Sequence, residues 1–481
     1  MNKEKLTKKE IRNYVLESLG ILLGIIAIAY GSYLSFEYLL ALIVLAIVII
    51  PFVIKAWIKQ KASFSKFEHL CNYLTNVIPI FIQKTKIRFA LGELYEICDD
   101  EVKKAIGEAI EYIDSTKDDP ELLKNGLKKI ENKFNNSRVE SVHKFLLSVE
   151  NTNSTTYKDI ADNLAKDIDS WIKRTYNFQK DLKDRRIKII LLCLLTLIMN
   201  VMFVIVYVSN EYFAGFVDNP FYQISTFVFI LFVLEVVAIV VVKLNGEWLI
   251  SDIKNRNEQK TIEKYRDYKK GKQKIKPLDI VLSIITFLGG IYFFIIDYRP
   301  AAYALGLIAV FILLQKTIKY HSLKRFIAKQ ITIEFPMWLR EVSLSLGSLT
   351  VLNAINNSLN SSSYAFRRET RNFLTEANNN PTSIKPYNDF LSEYEIDGVK
   401  ASMRILYAVN GVSKNEMKDR VAKLIDRNEE LLAKSENIRN YDSIGGVETI
   451  GYLPTVIFSL HTMASMVIMF IYMLQVLEAQ I

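Results

Sequence analysis

Apolar residues in this chain fall into long uncharged runs, separated by polar stretches with helical spacing. A bilayer core of about 30 Å needs roughly 20 apolar residues in a helix. Seven runs approach that length: 19–35, 38–54, 189–208, 221–242, 280–296, 300–314 and 450–474, of which the sixth is short. The first and second, and the fifth and sixth, form tight hairpins. Two polar blocks remain, 55–188 and 315–449, each longer than 120 residues and so large enough for a core of its own. Neither alternates like a strand. In the first, Val139, Val142, Leu146 and Val149 recur at helical steps, and Ile160, Leu164, Ile168 and Trp171 continue the stripe toward Leu182. Asp119-Pro120-Glu121 reads as a helix start, with Asp as cap and Pro at the first position. The pattern predicts an all-α polytopic membrane protein with about seven transmembrane helices and two helical-bundle domains.

Charge adds sidedness. The chain has 481 residues and a net charge of +9. Its N-terminal stretch carries Lys3, Lys5, Lys8, Lys9 and Arg12, and eleven Lys/Arg lie between Lys243 and Lys276. Positive residues are retained in the cytoplasm. The expected topology therefore has a cytoplasmic N-terminus, seven crossings, both polar blocks in the cytoplasm and a short external C-terminus. All of the 61 Lys/Arg except Arg299 then lie on the cytoplasmic side, whereas Glu37, Glu211, Asp218, Asp297 and Glu478 lie outside. The first run is not a convincing signal peptide, because a second follows within a few residues and no small-residue cleavage site is evident. The segments are a cytoplasmic N-terminus with a hairpin (1–54), a first bundle (55–188), a span pair (189–242) and a basic linker (243–279). A second hairpin (280–314), a second bundle (315–449) and a last span (450–481) complete the chain.

The chain also repeats itself. Offset by 260 residues, the first hairpin falls on the second, Tyr38 on Tyr298, Val139 on Val399, Leu146 on Leu406, Val149 on Val409 and Lys158-Asp159 on Lys418-Asp419. Identity is low, but the order of hairpin, polar helical block and return to the membrane recurs. This is the mark of a duplicated module. The fourth run has no partner in the second copy.

The second block opens Glu334-Phe-Pro-Met-Trp-Leu-Arg-Glu-Val-Ser-Leu-Ser-Leu-Gly-Ser-Leu-Thr-Val-Leu-Asn-Ala-Ile. This resembles the opening of the type II secretion system F domain, an apolar-Pro-x-x-Leu helix running to a Gly, then a Leu and an Ala-apolar pair. The matching positions are Pro336, Leu339, Gly347, Leu349, Ala354 and Ile355. The first block keeps the layout but has Asn76 and Ile87 where the proline and glycine would fall. The whole chain is similar to TadB/TadC-like platform proteins of tight-adherence (Flp/Tad) pili joined in tandem. The resemblance implies a non-enzymatic assembly platform in the cytoplasmic (inner) membrane of a bacterial type IV pilus-like or type II-like secretion machine. It implies docking to a cytoplasmic hexameric ATPase, engagement of pilin or pseudopilin subunits, and a small homo-oligomer.

Candidate chemistry is sparse. No G-x-x-x-x-G-K-[ST] loop is present, so ATP hydrolysis would need a separate protein. His69, His143, His321 and His461 show no metal-ligand spacing, Cys71, Cys98 and Cys193 show no pairing, and no cofactor is expected. Gly289-Gly290 and Gly445-Gly446 read as close packing or helix breaks. Two ionisable residues fall inside spans and are candidate intramembrane partner contacts, Glu235 and His461. A carboxylate at mid-bilayer costs roughly 2.5–3.5 kcal/mol. A pilin's charged segment is one partner for Glu235, and a hydrogen bond to a neighbouring helix is the plainer role for either residue. The basic run 255–276, with Tyr265 and Tyr268, fits anionic lipid headgroups better than nucleic acid. The helices expected at 155–185 and 415–439 read as bundle helices that could also act as levers. Trp171, Trp248 and Trp338 read as core or interface anchors. A transporter or channel with cytoplasmic regulatory domains is the alternative, although Glu235 is the only charge within the seven runs.

Overall fold

A computed structural model of the chain describes residues 8–115, 121–152, 157–210, 213–246, 248–249, 258–271, 277–296, 299–346, 349–410, 412 and 414–478. Among these residues there is no strand. The helices are α1 (Lys8–Gly31), α2 (Phe36–Lys84), α3 (Ile87–Ile97), α4 (Asp100–Ser115), α5 (Leu122–Phe134), α6 (Ser137–Thr152), α7 (Tyr157–Val208), α8 (Pro220–Lys243) and α9 (Glu258–Lys269). They continue with α10 (Pro277–Ile295), α11 (Arg299–Ser345), α12 (Val351–Asn357), α13 (Tyr364–Asn379), α14 (Lys385–Asp389), α15 (Val399–Val409), α16 (Lys414–Ile444), α17 (Val447–Ile450) and α18 (Leu453–Glu478). Asp119 and Pro120, read as a helix start, and Gly347 lie outside the described residues, as do 251–257 and 272–276 of the linker.

The chain is a multi-pass membrane protein. Helices α1, α2, α7, α8, α11 and α18 are long and apolar enough to cross a bilayer, and α10 adds a shorter apolar stretch, Ile280–Ile295. The helices of the second hairpin differ in length, 19 residues in α10 and 47 in α11. The sixth apolar run continues without a break into the polar sequence beyond Leu314, because Gln315–Ser345 keeps helical spacing and no strong breaker intervenes before Pro336.

The order of elements occurs twice. A hairpin (α1–α2, then α10–α11) leads to four helices (α3–α6, then α12–α15) and a helix returning to the apolar region (α7, then α16–α18). The copies differ at the return. Helix α7 is unbroken over 52 residues, whereas the second copy stops at Gly445 and Gly446, whose φ angles of +42° and +73° suit glycine and end a helix. Helix α8 has no counterpart.

The residues divide into two compact units. The first comprises Met1–Asn72, Ser170–Ile250 and Asn440–Ile481. Its core is apolar: Ile25, Ala29, Leu42, Ala46, Cys193, Leu197, Phe229, Ile230, Val233 and Val240 are buried, with Ile457 and Phe458 packed against them. A smaller cluster of Val204, Phe216, Val217 and Tyr222 includes Tyr472, whose hydroxyl lies so close to Gly215 that a Cβ there could not be accommodated without a shift. Helix α8 starts with Asn219 as cap, its side chain accepting from the Phe221 amide, and Pro220 at the first position. Phe64, Phe67, Trp171, Tyr176 and Trp248 form an aromatic cluster with ring centroids 4.6–5.5 Å apart. The Trp248 amide donates to Ser63 Oγ at 2.9 Å.

The second unit comprises Tyr73–Asp169 and Ser251–Arg439, and so holds most of both polar blocks. Helix α4 buries Val102, Ala105, Ile106 and Ala109, and α6 buries Val139, Val142, Leu146 and Val149, each set at i, i+3, i+4 or i+7 spacing. The core of the second copy gathers Ile331, Trp338, Leu339, Val342, Ala354, Ile355, Phe366, Met403 and Leu406. In the α10–α11 hairpin the backbones approach closely: Ser283 Oγ donates to the Ala309 carbonyl at 3.0 Å, and a Cβ on Gly290 would lie 3.2 Å from the Ala302 carbonyl.

Candidate functional site

The membrane helices of the first unit are joined by a chain of uncharged polar side chains. His461 sits two turns into α18, buried at 5% exposure, with its ring stacked on Phe229 at 4.7 Å and an interplanar angle of 4°. Its Nε2 lies 2.9 Å from Asn200 Oδ1 on α7, and its Nδ1 lies 2.9 Å from Ser225 Oγ on α8. Asn200 Nδ2 in turn donates to Ser32 Oγ at 3.0 Å, just past the end of α1. One neutral tautomer satisfies every link: Ser225 donates to Nδ1, and Nε2–H donates to Asn200. Tyr222 Oη donates to the Ser32 carbonyl at 2.9 Å. Gln223 Nε2 donates to the carbonyls of Tyr33 and Val217, while its Oε1 accepts from the Ser35 amide at 2.8 Å. The α1–α2 turn, where Tyr33 adopts φ +52°, is thereby held by α7 and α8. His461 is thus enclosed by partners from this chain.

Glu235 has the opposite setting. It lies on the exposed face of α8, while its helical neighbours Val233, Val236 and Val240 face the core. Phe232 and Ile239 flank it, at 43% and 40% exposure.

The second unit joins its two copies through buried ions. Arg138 on α6 and Arg340 on α11 both approach Asp167 on α7, with Arg340 Nη1 at 3.0 Å and Arg138 Nε at 3.8 Å from Oδ2. Arg138 Nη2 also lies 2.5 Å from Glu436 Oε1 on α16, and Arg340 Nη2 donates to Ser141 Oγ at 3.2 Å. All four charged side chains are 10% exposed or less. Lys144 and Glu341 pair at the rim of the same contact. Sequence reading missed this cluster. Its members lie 29 to 298 residues apart and each resembles a solvated charge on a long helix.

The positions carrying the F-domain resemblance pack in this unit's core. Leu339, Ala354 and Ile355 are fully buried, Leu349 is half-buried, and Pro336 lies buried inside α11 with its carbonyl accepting from Asn428 Nδ2 at 3.0 Å. Glu334, two residues before Pro336, accepts from the amide and hydroxyl of Ser363, the cap of α13. Burial pushes its carboxyl up to about 7, against the lowering influence of those hydrogen bonds and of Arg367. Trp338 packs among Phe335, Phe366 and Phe390 at 5.4–5.9 Å.

Helix α9, in the basic linker, docks on this core. Thr261, Tyr265 and Tyr268 of α9 are buried at i, i+4, i+7 spacing. Tyr265 Oη donates to Glu369 at 2.8 Å, and Tyr268 Oη to Glu393. Lys269 bridges both carboxylates at 2.9 and 2.8 Å. Lys260, Lys264 and Arg266 of α9 and Lys270 just beyond it are exposed.

One constellation has the look of a catalytic relay. Tyr73 Oη lies 2.8 Å from His143 Nε2, and His143 Nδ1 lies 2.9 Å from Glu131 Oε1. Burial alone would raise the Glu131 carboxyl, but the hydrogen bond and charge of His143, with Lys144 and Lys128, hold it below the ordinary carboxylate value. The three side chains thus form one hydrogen-bonded line, Tyr73–His143–Glu131. Tyr73 is completely buried and His143 is 1% exposed, so no substrate reaches the pair. The two thiols outside the spans are poor nucleophiles. Burial, then Glu68, pushes Cys71 up to about 12, and burial, then Asp99, pushes Cys98 up to about 11. Among the described residues no group of three or more His, Cys, Asp or Glu is placed to hold a metal.

No protein-family model, curated protein or solved structure matches the chain. The fold therefore defines a class by itself, an all-helical multi-pass membrane protein with a repeated order of hairpin, helical block and return helix.

Proposed function

We propose that this chain is the non-enzymatic platform of a bacterial type IV pilus-like or type II-like secretion machine, set in the inner membrane with its N-terminus and polar helices in the cytoplasm. One observation carries the reading most. The layout is repeated, and in it α2 and α7 run without a break from polar bundle sequence into apolar span sequence. A 52-residue helix is about 78 Å long, more than twice the thickness of a bilayer core. Such a helix suits transmission of movement from a cytoplasmic hexameric ATPase to spans that handle pilin or pseudopilin subunits. The F-domain-like positions at Pro336, Leu339, Leu349, Ala354 and Ile355 support the same reading, as does the Lys/Arg asymmetry for orientation. The basic surface of α9 supports contact with anionic lipids.

The test is co-purification of the full-length membrane protein with a secretion-type hexameric ATPase of the same organism, together with filament assembly in a deletion strain. Stable ATPase binding and loss of filaments on deletion are expected. Solute uptake by reconstituted vesicles without ATPase binding would overturn the platform in favour of a transporter.

A further inference from the structure

A cavity of about 10 Å³ lies beside the buried ions of the second unit. That is room for one water or one small ion. Arg138, Arg340, Arg439, Glu436 and Ser435 line it, and Ile333, Met337 and Leu432 give it an apolar wall. Arg138, Arg340, Ser435 and Glu436 are each 8% exposed or less, so solvent screens charge poorly here. The sign of the lining is uneven. Guanidinium groups stay protonated in proteins, so three cations face one carboxylate. Asp167, which Arg138 and Arg340 share, brings the carboxylates to two and leaves one positive charge over. Such a surplus is costly in a buried site unless an opposite charge joins it. One donor is also in place to receive an anion. The terminal nitrogens of Arg340 are taken by Asp167 and Ser141, but its buried Nε has no hydrogen-bond partner among the described residues. The Ser435 hydroxyl already donates to the Leu432 carbonyl, so the donors offered to the cavity are guanidinium N–H groups.

We propose that this cavity binds a single chloride ion, which accepts a hydrogen bond from Arg340 Nε and offsets the surplus charge where α6, α7, α11 and α16 meet. Charge selects the ion over water, because a neutral molecule leaves the surplus in place. Size selects a halide, because a phosphate or sulfate carries four oxygens around its central atom and overfills about 10 Å³. The three guanidinium groups repel a metal cation. The contact between the two copies is then complete only with its anion, and halide concentration tunes how firmly α6 and α7 are tied to α11 and α16. The inference stands apart from the platform reading and survives its failure.

The experiment uses the full-length chain, purified in gluconate, an anion too large for the cavity. Replacing about 100 mM gluconate by chloride at constant ionic strength is expected to raise the thermal midpoint by about 3 °C. Bromide should act like chloride. Arg439→Gln, which removes the surplus charge, should lose the response, and Arg439→Lys, which restores the charge without the guanidinium shape, should keep most of it. Crystals of the full chain grown with bromide should show an anomalous peak within hydrogen-bond distance of Arg340 Nε, a reading that needs no variant. Equal midpoints in chloride and gluconate, or crystals with no bromide peak in the cavity, mean that it holds water only and overturn the proposal. A chloride response of full size in Arg439→Gln places the ion elsewhere and overturns it too.

Discussion

The two units solve one problem, joining helices distant in sequence, with different chemistry. Around His461 the links are uncharged: imidazole, amide, hydroxyl and carbonyl. Around Asp167 they are ionic, with two guanidinium groups and two carboxylates nearly out of contact with solvent. The difference follows from the alternative open to each group. A charge that loses its partner among membrane helices has no water to fall back on, so neutral donors and acceptors carry less risk. In the second unit a charge can be solvated when the chain unfolds. Burying the ions adds little net stability, but separating them is costly. Ionic links of this kind specify which helices meet more than they strengthen the fold.

The comparison breaks most visibly at Arg340. Arg340→Ala removes the partner 3.0 Å from Asp167 and should destabilise the second unit by about 3–5 kcal/mol, read by chemical unfolding in micelles. Replacing both residues, Arg340→Met with Asp167→Leu, should recover most of that loss. If the double change is as damaging as the single one, packing and not charge explains the site.

The next effect concerns Glu334. Its carboxyl is neutral up to about pH 7 in the fold but ionises near 4.5 when unfolded. The folded state thus binds more protons between those values, so stability should fall as pH rises through that window, by about 3 kcal/mol in all, and stay low above it. Glu334→Gln should abolish the slope. A slope that survives the substitution would assign it to another group.

A smaller loss is expected at His461. His461→Phe removes both hydrogen bonds while keeping an aromatic ring beside Phe229, and should cost about 1–2 kcal/mol in thermal unfolding in bilayer discs. Insensitivity of the wild-type midpoint to mild acid would agree with a neutral ring, and a steep acid loss confined to the wild type would contradict it. The smallest change is Tyr265→Phe, which removes one hydrogen bond to a Glu369 that keeps Tyr394 and Lys269, and should cost about 1 kcal/mol or less.

Much of this architecture is legible in sequence. The spans declare themselves by the length of uncharged runs, and the duplication by the order of segments at a 260-residue offset. The α6 stripe from Val139 to Val149 is visible because a buried helical face has a period the eye can find. Thr261, Tyr265 and Tyr268 carry the same signal, but the Lys/Arg around them mask it, and the linker reads as a basic run facing anionic headgroups. Arg138, Asp167, Arg340 and Glu436 carry no local signal. What distinguishes a buried ion from a surface one is its partner, which tertiary structure supplies. Glu235 is recognisable as unusual from its apolar neighbours, yet which way it faces depends on which residues of α8 pack against α7 and α18. The break at Gly445-Gly446 is readable as glycine, but its absence from α7 is visible only when the two copies are set side by side.

The continuity of α7 carries one more consequence. Its buried side chains run as a single helical line through Phe178, Leu182, Cys193, Leu197, Asn200 and Val204, across the change from polar to apolar sequence. A helix of this kind conserves phase. One residue added near Lys188 would rotate everything beyond it by about 100°, swinging Asn200 away from His461. Seven residues would restore the angle to within about 20° while lengthening the rod. The length of the segment is thus open to change only by insertions close to a whole number of turns, such as about 7, 11 or 18 residues, a rule that the second copy, interrupted by its glycine pair, does not have to obey.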